Sequence, residues 1–325
     1  MRNLFVLLAL AISIQSIYSQ GLLGKLGKNK VVGSVLEGKP PVSTSFKDVD
    51  VKNTLPADFG TNAIYTSLST LQKKAEGFYE LSPGYYETTN LSYCLKAGTN
   101  GPAKGDSYGN APILGKMDDI VETILVKSQE LWRAKNSEGA AGKLTSFISQ
   151  KDVQLLLWAI IAKADFDDMQ NKTKGVALAL LSPEQIVKLN GGAVKTIANF
   201  ASDKGWMEKP AFVRSVEEAE QSLRQLYKSS TSTYEDFERL AVLAGINTEA
   251  QPVEFGTWFK HEGGYYIRYE PQGYSRTHIK IHVPEKKKVT LKITGAIATP
   301  SDSRQRLAQT DMSAEEYSKL KRQVK

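Results

Sequence analysis

The densest apolar stretch beyond the amino terminus covers residues 153–164 and reads VQLLLWAIIAKA. Its two polar residues lie near its ends, and a helix that is apolar on every side is normally buried. Ser149 and Asp152 have the spacing of a capping box, which predicts that the helix starts near Gln150. At ~1.5 Å per residue the run is roughly 18 Å long, shorter than the ~30 Å hydrocarbon core of a bilayer. The pattern therefore predicts the core helix of a soluble domain.

Helical spacing of apolar residues continues on both sides of this run and predicts a mostly helical middle over residues 116–245. Ser182 followed by Pro183 is typical of a helix start, because serine caps the first turn and proline is tolerated at its first position. Thr233 and Asp236 have the spacing that caps another helix. These signals are local, so they predict where helices begin without reference to the rest of the fold.

On either side of the helical middle the apolar period changes to two, which is typical of strands. Residues 43–115 combine strand-like stretches with a long loop at 98–115, and residues 46–51 alternate as a strand does. Residues 252–294 alternate again. In the segment THIKIHV, the two isoleucines and the valine are predicted to form the buried face.

These blocks predict an α+β fold with a single domain over residues 43–298. The helical middle, with its buried central helix, is expected to pack on a small antiparallel sheet built from the amino-terminal and carboxy-terminal strands. The triplet Gly-Tyr-Tyr occurs at 84–86 and again at 264–266, which agrees with both strand blocks belonging to one sheet. Residues 299–325 are predicted to form an exposed tail, with a charged helix after Ser313.

The first 19 residues have the features of a secretory signal peptide: a charged residue, an apolar stretch and a small residue before the expected cleavage site. The apolar stretch is too short to span a membrane and no stop-transfer run follows it, so the mature chain is expected to lack a transmembrane segment. Residues 20–42 are rich in glycine and end near two prolines, which predicts a flexible linker. Cys94 is the only cysteine, so no intramolecular disulfide can form, which fits bacterial export better than a eukaryotic secretory domain.

The chain of 325 residues has a formal charge of +7, with basic and acidic residues mixed along most of its length. A mildly basic surface suits the anionic bacterial envelope. The sequence has no nucleic-acid recognition motif, phosphate loop, dinucleotide motif or serine-hydrolase elbow. Neither nucleic acid nor a cofactor is therefore predicted.

The candidate binding residues are mostly aromatic and lie in the two strand blocks. Outward-facing rings on a sheet can stack on sugars or anchor a protein partner. The alternative is that these rings fill the core between sheet and helices, with their hydroxyls at its rim. The residues predicted to bind are Tyr85, Tyr86, Tyr108, Tyr265, Tyr266 and Arg268.

A catalytic alternative rests on Cys94, which would be a nucleophile if His261 reached it as the base. Exported cell-wall peptidases use pairs of this kind. However, Cys94 lies in the strand-like segment LSYCL, which carries no nucleophile signature. A buried structural thiol is the favoured interpretation.

No metal site is predicted. His278 and His282 would lie on one face of a strand roughly 13 Å apart at ~3.3 Å per residue, too far for one metal ion to bind both. Glu76, Glu80 and Glu87 could supply the two carboxylates of a glycosidase, but nothing in the sequence fixes their separation.

The segments SPGYYETTNLSYCLKAGTNGP, LLWAIIAKADF and GGYYIRYEPQGYS, with SDSRQRLAQ, resemble a family of exported bacterial proteins over about residues 43–309. The signal, which ends in Tyr-Ser before Gln, is similar to export signals of the Bacteroidota. Proteins that the gliding-type system of that phylum secretes end in a β-rich sorting domain, and the charged tail here departs from that pattern. The resemblance implies export, and the departure of the tail from that pattern favours the periplasm over the extracellular space.

Together these observations predict an exported, non-enzymatic binding or structural protein of the periplasm or envelope. One form of this function is an accessory or plugging subunit of an outer-membrane secretion complex. Its partner would be an envelope protein or a glycan. The alternative is a cell-wall hydrolase or a glycan-binding protein.

Overall fold

A computed structural model describes residues 40–74, 78–134, 148–192, 211–244, 253–298 and 304–322. The predicted signal peptide, nearly all of the predicted linker and Glu76 lie outside these residues. Within the part that is described, no helix combines the length and the apolar character needed to cross a membrane.

Helices occupy mainly the middle of the chain, as the apolar spacing predicts. The described residues contain α1 (Asp118–Ala134), α2 (Gln150–Ile161), α3 (Asn171–Leu180), α4 (Pro183–Val187), α5 (Ala211–Lys228), α6 (Tyr234–Ala241) and α7 (Ala314–Arg322). Helices α2, α4 and α6 start where the sequence predicts. Each begins with a complete capping box, whose members are Ser149 with Asp152, Ser182 with Gln185, and Thr233 with Asp236. These side chains satisfy backbone N–H groups that the first turn of a helix leaves without a partner.

Strands come from both ends of the chain. They are β1 (Thr54–Leu55), β2 (Thr66–Ser67), β3 (Tyr79–Leu81), β4 (Gly84–Cys94), β5 (Thr99–Asn100), β6 (Gly109–Ala111), β7 (Val242–Leu243), β8 (Trp258–Lys260), β9 (Tyr266–Pro271), β10 (Arg276–Val283), β11 (Val289–Leu291), β12 (Gly295–Ala298) and β13 (Leu307–Ser313). Together with the helices they give the predicted α+β class.

The main sheet has nine strands in the order β1-β8-β9-β10-β4-β13-β12-β6, with β2 pairing beside β4. It is larger than the small antiparallel sheet that the sequence predicts, and it is mixed because β2 runs parallel to β4. Tyr108, just before β6, forms a bridge with Tyr269 of β9. The Tyr269 hydroxyl also donates a hydrogen bond to Asn110 Oδ1 at 3.0 Å. The sheet therefore curls until β9, β10, β4, β13, β12 and β6 form a closed ring.

Two large apolar cores result from this arrangement, beside a small third cluster of Val49, Ala111 and Phe259. One lies inside the ring, and the predicted buried residues Ile279, Ile281 and Val283 of β10 belong to it. The other lies between the helices and the far end of β4, where α2 is buried from Asp152 to Ile161. Helix α2 is therefore the core helix that the sequence predicts.

The prediction of an exposed tail over residues 299–325 is wrong, because β13 lies inside the sheet between β4 and β12. Its polar residues Gln309 and Thr310 are buried, and the side chain of each donates a hydrogen bond. Gln309 Nε2 donates to Thr277 Oγ1 at 2.9 Å, and the Thr310 hydroxyl donates to a backbone carbonyl of β4 at 2.9 Å. Bonded polar groups can occupy a core, so the polar sequence of this strand is misleading. The predicted helix after Ser313 is present as α7.

Residues 46–51 do not form the predicted strand. Phe46–Asp48 is a 3₁₀ turn, and the hydroxyl of Ser45 accepts a hydrogen bond from a backbone N–H of that turn at 3.2 Å. The alternation is short, and a serine that bonds its own neighbouring backbone competes with strand pairing. Local capping is therefore the stronger signal here.

The predicted loop at 98–115 is a packed segment that contains β5 and β6. Asp106 accepts a hydrogen bond from Ala103 N at 2.8 Å and lies 3.3 Å from the buried guanidinium of Arg304. Burial raises the pKa of Asp106, while the backbone N–H and Arg304 oppose that rise. The ion pair between Asp106 and Arg304 thus links the loop to the segment that precedes β13.

Candidate functional site

Three neighbouring strands, β4, β10 and β9, present alternate residues on the side of the sheet away from the ring interior. Residues directly opposite each other on antiparallel strands point to the same face and touch. Their register forms three cross-strand rows: Tyr85, His282 and Tyr266; Glu87, Lys280 and Arg268; and Thr89, His278 and Glu270. We call these nine residues the outer face. All nine are partly exposed.

The first row is a stack of rings. His282 lies between two tyrosines, with its ring centroid 4.5 Å from that of Tyr85 and 6.2 Å from that of Tyr266. The interplanar angles are 27° and 24°. Phe59 packs edge-on against His282 at 5.0 Å. Ring faces within the row are therefore largely turned toward one another, and among the described rings only His282 packs against Tyr266.

The loop between β1 and β2 covers part of this row, and we call residues 56–65 the cover loop. Arg268 Nη1 donates to one of its carbonyls at 2.9 Å, and Trp258 Nε1 donates to another at 3.2 Å. Gly60 lies in the left-handed region with φ of 71°, and a Cβ there would stand 2.9 Å from Tyr85 Cε1. A side chain at this position would push the cover loop off the ring, so glycine is required for this contact.

The two other rows carry charges that pair with one another, both along β9 and between neighbouring strands. Arg268 Nε lies 2.6 Å from Glu270 Oε1, and Lys280 Nζ lies 3.6 Å from the same oxygen. His278 Nε2 lies 3.4 Å from Glu87 Oε2. Apart from its histidines, the outer face has two cations and two carboxylates, so it presents fixed, balanced charges rather than a charged patch.

Arg268 is held from the other side by the loop before β8. The Phe255 ring lies 5.8 Å from its guanidinium, a distance at which a cation is attracted to an aromatic face. A Cβ on Gly256, which has φ of 90°, would stand 2.9 Å from Arg268 Cζ, so a larger residue would strain the backbone and displace the guanidinium. Phe255 itself is 40% exposed. The outer face therefore continues into an exposed aromatic ring beside a positioned arginine.

His282 is the titratable group at the centre of the aromatic row. Burial lowers its pKa below the ordinary value, and the backbone carbonyl of Gly84 opposes that shift. Its Nδ1 atom is buried and has no hydrogen-bond partner among the described atoms. A proton on His282 is thus disfavoured in the folded protein, which keeps the row neutral at pH 7.

The six predicted binding residues divide between the two sides of the sheet. Those on the outer face are Tyr85, Tyr266 and Arg268. Those enclosed in the core of the ring are Tyr86, Tyr108 and Tyr265. Burial raises the pKa of both Tyr108 and Tyr265. Tyr86, Tyr108 and Tyr265 therefore fit the alternative prediction, in which the rings fill a core. Their buried side chains cannot contact a partner.

Cys94 and His261 do not come together. Cys94 is fully buried at the far end of β4, and burial raises the pKa of its thiol. His261 stacks on Tyr265 with 4.4 Å between ring centroids, next to the β8–β9 turn. That turn lies near the Tyr85 end of β4, and at ~3.3 Å per residue the strand between Tyr85 and Cys94 is roughly 30 Å long. Burial therefore disfavours the thiolate of Cys94, and His261 is too far away to act as its base.

The other catalytic and metal candidates are also placed apart. His278 and His282 lie in different rows of one strand face, as a strand requires. Among the described residues, no group of three or more His, Cys, Asp or Glu side chains could hold a metal ion. Glu87 is paired with His278, and Glu80 lies 3.0 Å from a surface lysine.

Sequence reasoning missed the cover loop and the role of His282 in the aromatic row. A partial signal exists in the strand parity. Residues two positions apart on a strand share a face, and charged residues normally face solvent. Glu87 therefore indicates that Tyr85 faces outward, and Lys280 indicates the same for His282. Nothing in the sequence around Phe59 indicates that it reaches this row, because its partners lie far away along the chain.

Comparisons with protein-family models, with curated proteins and with solved structures found no match for this chain.

Proposed function

We propose that this chain is an exported, non-enzymatic binding protein of the bacterial cell envelope, and that its outer face holds a protein partner. The observation that carries the proposal is that strand register gathers Tyr85, Tyr266 and Arg268 on one partly exposed face. The exposed Phe255 ring lies beside them. Tyrosine, phenylalanine and arginine are enriched in protein interfaces, and tyrosine and arginine in the positions that contribute most to affinity.

Export is supported by the signal-like first 19 residues and by the resemblance to exported bacterial proteins. An accessory subunit of an outer-membrane secretion complex is one form of this function. The partner would need an apolar surface to cover Phe255 and Tyr266, and polar groups that match fixed rather than mobile charges. The balanced pairs of the outer face favour recognition by shape over recognition by net charge.

A glycan is the weaker candidate for this face. Sugar rings bind aromatic residues by lying flat against their ring faces. In the row of Tyr85, His282 and Tyr266, the faces of the first two rings are largely turned to each other or lie beneath Phe59. One side of Tyr266 is left for stacking, whereas glycan binding usually needs several free ring faces.

The hydrolase alternative has less support still. Its nucleophile candidate Cys94 is enclosed, and its amide N–H and carbonyl are both bonded to the side chain of Gln154. Burial keeps the thiol protonated, and a thiol is a far weaker nucleophile than a thiolate.

The proposal is tested by quantitative crosslinking and mass spectrometry on native cells that express tagged variants. The variant Phe255→Ser with Tyr266→Ser removes two partly exposed rings from the binding surface. Loss of residues that dominate an interface costs about 2 kcal/mol or more, so recovery of the partner should fall at least ~30-fold. A protein that co-purifies in stoichiometric amount with the unchanged chain identifies the partner.

The matched control is Leu178→Ser with Val187→Ser, which removes two apolar side chains that are 64% and 68% exposed on the helical layer. The control should retain the partner. Equal recovery by the two double variants would contradict the proposal. Recovery of peptidoglycan fragments without a protein would contradict the proposal and support glycan binding instead.

A further inference from the structure

Lysines gather at the end of the sheet where β10 finishes and β4 begins. The turn after β10 has the sequence Pro-Glu-Lys-Lys-Lys, and its three lysines are exposed. Lys260, at the end of β8, is also exposed and lies opposite Tyr266 in the sheet register. We call Lys260, Lys286, Lys287 and Lys288 the basic rim.

The members of the basic rim lie on adjoining turns. Val283, the last residue of β10, pairs with Gly84, the first residue of β4. The following turn therefore projects past the end of both strands. Lys287 Nζ comes within 3.4 Å of the place that a Cβ on Gly264 would occupy, so its side chain lies over the β8–β9 turn. The rim thus faces the direction in which the strands end.

The basic rim differs from the outer face in how its charges are balanced. On the outer face, Arg268 and Lys280 both lie within ion-pair distance of Glu270. Among the described residues, no acidic side chain lies within ion-pair distance of any of the four rim lysines. Asp50 attracts Lys260 from farther away, and Glu285 is the one acidic residue in the turn itself, so the rim keeps a net positive charge. Three consecutive lysines repel one another, and an anionic partner relieves that repulsion.

An apolar residue stands beside the rim. Thr66 of β2 pairs in parallel with Tyr86 of β4, so Ile64, two residues earlier, lies level with Gly84 at the same end of the sheet. Ile64 is 92% exposed, more than any other large apolar residue among those described. Lysines at the same end of a sheet as an exposed aliphatic side chain form a combination that suits an anionic bilayer. The lysines are attracted to headgroups, and the aliphatic group enters the boundary with the acyl chains.

We propose that the basic rim and Ile64 dock this protein on the surface of an anionic phospholipid bilayer. This inference does not rest on the protein partner of the outer face, because it uses different residues. Each lysine near an anionic surface strengthens binding about fivefold, so three lysines supply roughly a hundredfold. The attraction should disappear in high salt, because the screening length falls from ~8 Å at 0.15 M to ~3 Å at 1 M.

The test is co-sedimentation of the full chain with vesicles of phosphatidylglycerol and phosphatidylcholine, at varied phosphatidylglycerol content. The triple variant Lys286→Gln, Lys287→Gln and Lys288→Gln should bind roughly a hundredfold more weakly. The matched control, Lys104→Gln, Lys127→Gln and Lys321→Gln, removes the same net charge from exposed lysines elsewhere and should change binding less than about threefold. All variants share the same amino-terminal residues, so any contribution of residues 1–38 to binding cancels in the ratio.

Ile64→Ser separates a bilayer from a soluble polyanion. It should weaken vesicle binding about fivefold while leaving binding to inorganic polyphosphate unchanged. Three outcomes would overturn the proposal: equal loss in the two lysine triples, equal binding to vesicles with and without phosphatidylglycerol, or tighter binding to polyphosphate with no effect of Ile64→Ser on vesicles. None of these outcomes bears on whether Phe255 and Tyr266 hold a protein partner.

Discussion

Replacing Gln154 by methionine tests how the helical layer is joined to the sheet. Gln154 is buried in α2, and its amide bonds both backbone groups of Cys94. Its Oε1 accepts from Cys94 N at 2.8 Å, and its Nε2 donates to Cys94 O at 3.1 Å. The amide thus supplies the bonds that a neighbouring strand would otherwise make. Methionine has a similar length but is a poor hydrogen-bonding residue, so both backbone groups would stay buried without partners.

The expected loss follows from those two groups. A buried backbone group that loses its partner costs about 1–3 kcal/mol, so two cost roughly 2–6 kcal/mol. Burial of the more apolar methionine side chain offsets about 1 kcal/mol of that loss in stability. The free energy of unfolding should therefore fall by roughly 1–5 kcal/mol, a large part of the ~5–15 kcal/mol that is typical of folded proteins.

Urea unfolding followed by tryptophan fluorescence measures this loss. The control is Gln150→Met in the same helix. Gln150 Nε2 donates to Ser275 O at 2.8 Å, but Gln150 is partly exposed, so water can replace it. We expect that control to cost less than about 1 kcal/mol. If Gln154→Met also costs less than ~1 kcal/mol at an unchanged urea slope, the account of this junction is wrong.

Two further predictions concern titratable groups. Burial lowers the pKa of His282 and His261 in the folded protein, whereas both titrate near ~6.5 when unfolded. The unfolded chain therefore takes up protons first as the pH falls, and stability should decrease below about pH 6.5, by at most ~1.4 kcal/mol per pH unit for each histidine. Water screens the partly exposed His282, so its share is smaller. His282→Phe should flatten unfolding curves measured between pH 8 and pH 5, and an unchanged pH dependence would contradict this assignment. Cys94 should react with a thiol reagent such as dithionitrobenzoate only at the rate of unfolding, and rapid labelling of the native protein would revive the hydrolase alternative.

Helix starts could be predicted from the sequence because they depend on residues three positions apart. Ser149 and Asp152 exchange hydrogen bonds within one turn, and no distant residue is needed to form them. The buried face of β10 was predictable for a related reason, since strict alternation leaves one face apolar. Local chemistry is sufficient in both cases.

Long-range pairing explains what the sequence did not predict. The sequence of β13 resembles a polar tail, because the partners of Gln309 and Thr310 lie on the distant strands β10 and β4. The division of the six candidate binding residues depends on register, because a shift of one residue turns every side chain to the opposite face. Tyr265 and Tyr266 are adjacent in sequence, yet one is fully buried in the ring and the other lies on the outer face.

The outer face and the basic rim differ in physical character, and the rim lies at one end of the strands that form the outer face. Ion pairs with Glu270 hold Arg268 and Lys280 of the outer face in fixed places, which suits a partner that is recognised by shape. The rim lysines have no such pairs and can adapt to a fluid array of phosphates. Because the rim lies where the strands of the outer face end, docking through the rim would stand these strands upright on the bilayer. The outer face would then point sideways, toward proteins that are themselves anchored in the membrane. A partner captured through Phe255 and Tyr266 should for this reason be enriched in membrane fractions, and a rim variant should reduce its capture without changing affinity in detergent solution.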